Sequence, residues 1–198
     1  MTPLIYIIIG LSIIITIASV VFIISTSYRR SMRYRLAQDR KNPFKLWLLS
    51  AQLIDNQSTS YQEIYDSDYK YLQERINELY YVDSREELFR RWEFSTTDDT
   101  NALDYLMYLY VWQLAVGAQY ASEAESFERL KKIVVAMQQQ YSGWEQYAKE
   151  FLVKRKASWE KRGTRTAKNI ATSMAELEQE VQWTLTNLAP KIDFKTKF

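Results

Sequence analysis

The sequence contains no cysteine and no histidine. These absences exclude disulfide bonds, cysteine nucleophiles, Ser-His-Asp triads and zinc sites built from Cys or His. They also remove the side chain that most often serves as a general base near neutral pH. Carboxylates, lysines, tyrosines and hydroxyls remain, so hydrolysis by a pair of carboxylates stays open. The sequence identifies no catalytic residue, no metal ligand and no cofactor.

Glycine and proline are also scarce, with 4 and 3 residues in a chain of 198. A chain with so few turn-forming residues favours helices over a sheet with many tight turns. No stretch alternates apolar and polar residues as a half-buried strand would. We therefore predict an all-α fold, in which a single N-terminal transmembrane helix is followed by a compact multi-helix cytoplasmic domain.

Charged side chains are absent from residues 1–28, and residues 4–25 form one apolar run. A helix of about 22 residues spans about 30 Å, which is the thickness of the hydrocarbon core of a bilayer. The alternatives are a buried core helix and a cleaved signal peptide. The run is long for both, and it lacks the basic residues that begin a signal peptide. We predict an uncleaved transmembrane anchor over residues 1–28.

A basic juxtamembrane segment follows the anchor, at residues 29–45. It holds seven Lys or Arg residues and one Asp, and its first arginines are Arg29, Arg30, Arg33 and Arg35. Because Lys and Arg near a span are retained in the cytoplasm, we predict a single-pass protein with its N-terminus outside. The anchor and these arginines would contact membrane lipid.

Beyond residue 45 the chain carries 19 basic and 23 acidic residues, so the domain itself is mildly acidic. The basic excess is confined to the juxtamembrane segment. A nucleic-acid partner is therefore not expected, although the isoelectric point of the whole chain is near 8.6.

Helical patterns cover the rest of the chain. Apolar residues recur at spacings of three and four in several segments, among them residues 61–81, 101–116 and 165–188. The pattern of the first of these segments is less regular and has a break near Ser67. Residues 101–116 are apolar most of the way round, so this helix is expected at the centre of the domain. Ser84 with Glu87, and Ser122 with Glu125, fit capping boxes that begin two other helices.

These patterns divide the chain beyond the juxtamembrane segment into three parts. We predict a helical domain at residues 46–160, a C-terminal amphipathic helix at 161–189 that packs on the domain, and a flexible tail at 190–198.

Four separated pieces of the chain carry a family resemblance. In order they read WLLSAQLI, YYVDSREELFRRW, SEAESF and YSGWEQYAKEFLVKRKASW. In these pieces the chain resembles the DUF1266 family, bacterial proteins of unknown function, over about residues 47–159. The resemblance implies a helical domain and offers no established catalytic residues. The chain departs from the family at Met107 and Gln113, where arginines would be expected.

Five residues are candidates for a surface that binds a partner or ligand: Asp104, Trp144, Tyr147, Arg155 and Trp159. Asp104 is a carboxylate in an apolar helix, and a buried carboxylate can act as an acid or base. Arg155 lies within an aromatic stripe and is suited to an anionic ligand. Each candidate also has a structural interpretation. Asp104 suits an exposed first helical turn, and the aromatic residues suit the core. Arg155 suits stacking on Trp159 or Trp144 together with pairing to a nearby carboxylate.

Three functions fit these observations. The first is a protein-binding module at the cytoplasmic face of the bacterial inner membrane, with an unknown protein partner. One form of it is an immunity-type protein that neutralises a toxin at the membrane. The second is a membrane-associated hydrolase that uses carboxylates such as Asp104 together with Arg155. The third is a structural subunit of an envelope complex that uses the final helix as its contact.

Overall fold

The structure, a computed structural model, describes residues 39–52, 68–95, 99–163 and 166–198. The chain divides into two compact units, Met1–Asn42 and Pro43–Phe198. Of the first unit, residues 39–42 are described, and there the backbone N–H of Asn42 donates to the carbonyl of Asp39.

None of the helices in these described ranges is long and apolar enough to cross a membrane. The predicted anchor at residues 1–28 lies outside the described residues, as do the arginines at positions 29, 30, 33 and 35. The transmembrane prediction therefore concerns a part of the chain on which this finding does not bear.

The second unit is built from helices. They are α1 (Pro43–Gln52), α2 (Tyr69–Tyr80), α3 (Arg85–Arg91), α4 (Ala102–Gly117), α5 (Glu123–Gln140), α6 (Trp144–Arg162), α7 (Ala167–Asn187) and a short 3-10 turn, Ala189–Lys191. The described residues contain no strand, which confirms the all-α prediction for that part of the chain.

Helix α4 lies at the centre of the second unit. Helices α1, α2, α5 and α6 all pack against it, and nine of its 16 residues are buried. The indole of Trp112 is fully buried and donates to the carbonyl of Trp92 at 3.0 Å. The hydroxyl of Ser126 on α5 donates in turn to the carbonyl of Trp112. A helix that is apolar most of the way round has no solvent face to offer, so it becomes the core element.

Local capping signals set where the helices begin. Ser122 and Glu125 form the predicted capping box. The Ser122 hydroxyl accepts from the backbone N–H of Glu125, and the Glu125 carboxylate accepts from the backbone N–H of Ser122. The hydroxyl of Ser84 likewise accepts from the backbone N–H of Glu87. The carboxylate of Glu87 does not return to Ser84, however, because it pairs with Arg91 at 2.7 Å.

Helix α2 begins just after the break that its sequence pattern shows near Ser67. The pattern ran from residue 61, α2 begins at Tyr69, and residues 61–67 lie outside the described part of the chain. The carboxylate of Asp68 accepts from the backbone N–H of Lys70 at 2.8 Å and caps the helix there. An Asp at this position satisfies a backbone donor that would otherwise lack a partner, and so it fixes the first turn.

The C-terminal segment differs from the flexible tail expected at residues 190–198. Phe194 is only 2% exposed, and its ring centroid lies 4.8 Å from that of Trp144 and 5.5 Å from that of Trp47. The indole N–H of Trp47 donates to the carbonyl of Phe194, and that of Trp144 donates to the carbonyl of Ile192. Because two buried indoles find their acceptors here, the segment is part of the core.

Helix α7 packs against α6, as expected for an amphipathic C-terminal helix. Its apolar face is buried and consists of Ile170, Met174, Leu177 and Val181. The face that a structural subunit would offer to a neighbour is therefore used inside the unit. On the outer side of this helix, Trp183 is half-exposed.

Candidate partner-binding site

A groove of about 460 Å³ lies between the start of α4 and the C-terminal half of α6. We call it the basic groove. Its lining residues are Asn101, Leu103, Asp104, Met107, Lys154, Arg155, Ala157, Ser158, Lys161 and Arg162. Two of the five residues proposed from the sequence, Asp104 and Arg155, therefore line one groove.

Asp104 caps the helix from within its first turn. Its carboxylate accepts from the backbone N–H of Asn101 at 3.0 Å and from the side-chain amide of the same residue. The amide oxygen of Asn101 accepts in turn from the backbone N–H of Leu103. Asp104 therefore lies in the first helical turn, as its structural interpretation expected, but it is half-buried rather than exposed. Burial raises the pKa of nearby Tyr108, and the negative charge of Asp104 raises it further.

Arg155 is held by aromatic rings. Its guanidinium lies 5.4 Å from the ring centroid of Phe151 and 6.0 Å from that of Trp159. Stacking on Trp159 was one of the interpretations that the sequence offered, and the structure confirms it. Aromatic faces at these distances attract the positive charge of the guanidinium and so help to position it.

Three further cations line the groove and were not singled out from the sequence. They are Lys154, Lys161 and Arg162, all exposed. Positions 154, 158 and 161 recur at the spacing of one helix face, so Lys154 and Lys161 lie along the same side of α6. That spacing was the signal available in the sequence.

Part of the groove lining is apolar, and we call its three residues the apolar floor. Leu103 and Met107 come from α4 and Ala157 comes from α6. Met107 belongs to the helix that was expected at the centre of the domain, yet it is 41% exposed, because it lines the groove. It is also one of the two positions where the family resemblance led us to expect an arginine.

Trp144 and Tyr147 lie in the core rather than on a binding surface. Tyr147 is fully buried and Trp144 is 8% exposed. Both contact the ring of Phe194, at centroid distances of 4.8 Å for Trp144 and 6.4 Å for Tyr147. The prediction that Trp144 and Tyr147 belong to a partner-binding surface is therefore wrong, because both side chains are buried. Trp159 is half-buried and holds Arg155 from outside the groove lining.

The groove offers cations and apolar contact rather than a paired-acid site. Asp104 is the single carboxylate among the lining residues, and it is already engaged as a cap. Hydrolysis by two carboxylates needs a second one within about 5–10 Å. The described residues also contain no group of three or more acidic side chains placed to hold a metal ion. The arrangement is suited to binding a negatively charged group that also carries apolar surface.

Comparison with known proteins agrees with the family resemblance. The family model described as Protein of unknown function (DUF1266) matches residues 25–188. This range extends past both ends of the segment in which the sequence pieces were noticed. No curated protein and no solved structure matches the chain.

Proposed function

We propose that this chain, which belongs to the DUF1266 family, is a protein-binding module tethered to the cytoplasmic face of the bacterial inner membrane. The family description assigns no activity, so the proposal depends on the described residues and on the N-terminal sequence. It follows the first of the three functions suggested by the sequence.

The basic groove is the observation that carries this proposal. It combines exposed cations with an apolar floor to which Met107, 41% exposed, contributes. A large apolar side chain left exposed among cations in a concave surface is typical of a site that another molecule covers. The surrounding unit is well packed, so the groove is held by rigid helices.

The N-terminal sequence supports the location. Residues 4–25 are long and apolar enough for a membrane span, and Arg29, Arg30, Arg33 and Arg35 follow immediately. In this arrangement the second unit works within a short distance of the membrane surface. Tethering raises the local concentration of the module toward any partner in the same membrane.

Site-specific photo-crosslinking in native membranes tests the proposal. A photoreactive amino acid replaces Met107 in the groove or, as the control, Val153, which is 60% exposed on α6 but does not line the groove. We expect one discrete protein adduct from position 107 and none from position 153. Adducts of equal yield from both positions, or none from either, would contradict a groove-directed protein partner.

The hydrolase remains a second candidate, because Asp104 and Arg155 do line one groove. Against it, Asp104 acts as a cap and no second carboxylate lines the groove. Alanine substitution of each residue separates the two functions. If Asp104→Ala folds and replaces the wild-type protein in cells without a change in their growth, the hydrolase loses its carboxylate. If Asp104→Ala cannot replace the wild-type protein although the position-107 adduct is kept, the binding module loses its support.

A further inference from the structure

We infer that the basic groove takes an acidic amphipathic helix of a partner protein, with carboxylates along one side and aliphatic side chains beside them. The inference rests on the proposed function and specifies the partner's chemistry. It is carried by the balance of charge in the groove, by the spacing of its cations and by its apolar floor.

The charge of the groove is unbalanced. Besides Arg155, three cationic side chains line it, against the single carboxylate of Asp104. Elsewhere the domain pairs its arginines, as with Arg85 and Glu125 at 2.5 Å. Among the residues that the structure describes, the side chains of Lys154, Lys161 and Arg162 form no ion pair or hydrogen bond. These three cations are therefore available to an anionic partner.

The cations form a line rather than a cluster. Lys154 and Lys161 are seven residues apart on one helix, which places them about 10 Å apart along its axis. A small anion such as phosphate is bound by donors that converge on a point. Acidic residues one and two turns apart on a partner helix would instead match the line of cations, with a carboxylate near each.

The floor selects for apolar side chains beside those carboxylates. Leu103 and Met107 lie one helical turn apart on α4, so together they make a short apolar stripe next to the charged side of α6. Methionine adapts to partners of varied shape because its side chain is unbranched and polarisable. The groove thus presents the complement of an amphipathic acidic helix.

The concave shape favours a protein segment over a membrane surface. A flat anionic bilayer would meet the exposed ends of Lys154 and Lys161 more readily than Leu103, which is half-buried in the lining. A helix is convex and about 10 Å across, so it can contact the cations and the apolar lining together. The anionic bilayer is retained as an outcome of the test.

Peptide binding to the full chain in neutral detergent tests the inference by fluorescence anisotropy. One probe is a labelled helical peptide of about four turns with glutamates one and two turns apart and leucines beside them. The second has lysine for every glutamate, and the third has the same composition as the first in scrambled order. We expect the glutamate peptide to bind at least about tenfold more tightly than either of the others.

Charge reversal on α6 provides the matched variants. The double variant Lys154→Glu with Lys161→Glu should bind the glutamate peptide about tenfold or more weakly than wild type, and it should bind the lysine peptide instead. Lys149→Glu with Lys156→Glu makes the same charge change on exposed positions of the same helix, outside the groove, and should change binding by less than about twofold. Circular dichroism melts of the full chain confirm that each variant is folded.

Three results would overturn the inference. The first is equal binding of the ordered and scrambled glutamate peptides, and the second is equal binding to both double variants. The third is loss of peptide binding when the full chain is moved from nanodiscs of pure phosphatidylcholine to nanodiscs that also contain phosphatidylglycerol, which would mark an anionic-surface site. The photo-crosslinking from position 107 is read separately. An adduct that persists in the groove variant leaves the proposed function standing and removes only the acidic helix.

Discussion

Truncation of Phe194 should be among the most damaging single changes in the C-terminal segment. The side chain is 2% exposed and contacts the rings of Trp144, Trp47 and Tyr147. Phe194→Ala removes the ring and leaves a cavity among three large aromatic residues, whereas the carbonyl that accepts from Trp47 is kept. Removing a buried phenylalanine ring costs about 3–5 kcal/mol.

That loss predicts a large fall in thermal stability. For a domain of this size each 1 kcal/mol lowers the melting temperature by about 2–4 °C, so Phe194→Ala should lower it by roughly 10 °C. Circular dichroism of the full chain in neutral detergent measures the melt, and the near-ultraviolet signal reports the indole packing. Lys197→Ala, at an exposed position of the same segment, is the control and should shift the melt by no more than about 2 °C. A Phe194→Ala melt within about 2 °C of wild type would refute the docked C-terminus.

Three further changes test local parts of the domain. Arg85 holds the pKa of the Glu125 carboxyl well below its ordinary value. The pair therefore stabilises the folded state at a pH above the ordinary pKa of a glutamate, and this contribution is lost as the pH falls. In melts from about pH 5 to about pH 2, the stability of Glu125→Gln should depend less on pH than that of wild type, and an unchanged dependence would contradict the pairing. Asn101→Ala removes the cap of α4 and should lower the free energy of unfolding by about 1 kcal/mol, as measured by urea denaturation, whereas no change would mean that the cap is dispensable. Gly163 ends α6 at φ 62°, where an L side chain is strained, so Gly163→Ala should cost about 1 kcal/mol in the same assay, and a gain in stability would contradict the left-handed cap.

Elements that depend on local signals could be predicted from the sequence. The pairing of Ser122 with Glu125 needs only residues three apart, and both hydrogen bonds of the capping box form. The burial of Ile170 and Val181 on α7 follows from helical spacing alone, and so does the central position of α4. A residue's own helix is enough to specify such features.

Features that depend on distant contacts could not be predicted. Trp47 and Phe194 are 147 residues apart, and nothing near either residue indicates that one will bond to the other. The C-terminal segment therefore looked like a loose end, since it is short and partly charged. The same reason explains why the burial of Tyr147 was missed, because an aromatic stripe on one helix does not reveal whether another element covers it.

The candidate site shows both cases. Asp104 and Arg155 could be singled out because each is an unusual residue in its own helix. That they line one groove depends on how α4 and α6 pack, which the spacing within either helix does not contain. Lys154 and Lys161 gain their interest only from that packing, because exposed lysines on a helix are otherwise ordinary.

The most direct test of the account is photo-crosslinking from position 107 in native membranes, compared across the two double variants. The account predicts a discrete protein adduct in the wild-type groove. Its yield should fall at least about tenfold in Lys154→Glu with Lys161→Glu and stay within about twofold in Lys149→Glu with Lys156→Glu. An adduct of equal yield in both double variants would show that the cations of the groove do not select the partner. The absence of any adduct from wild type would contradict the partner-binding module itself.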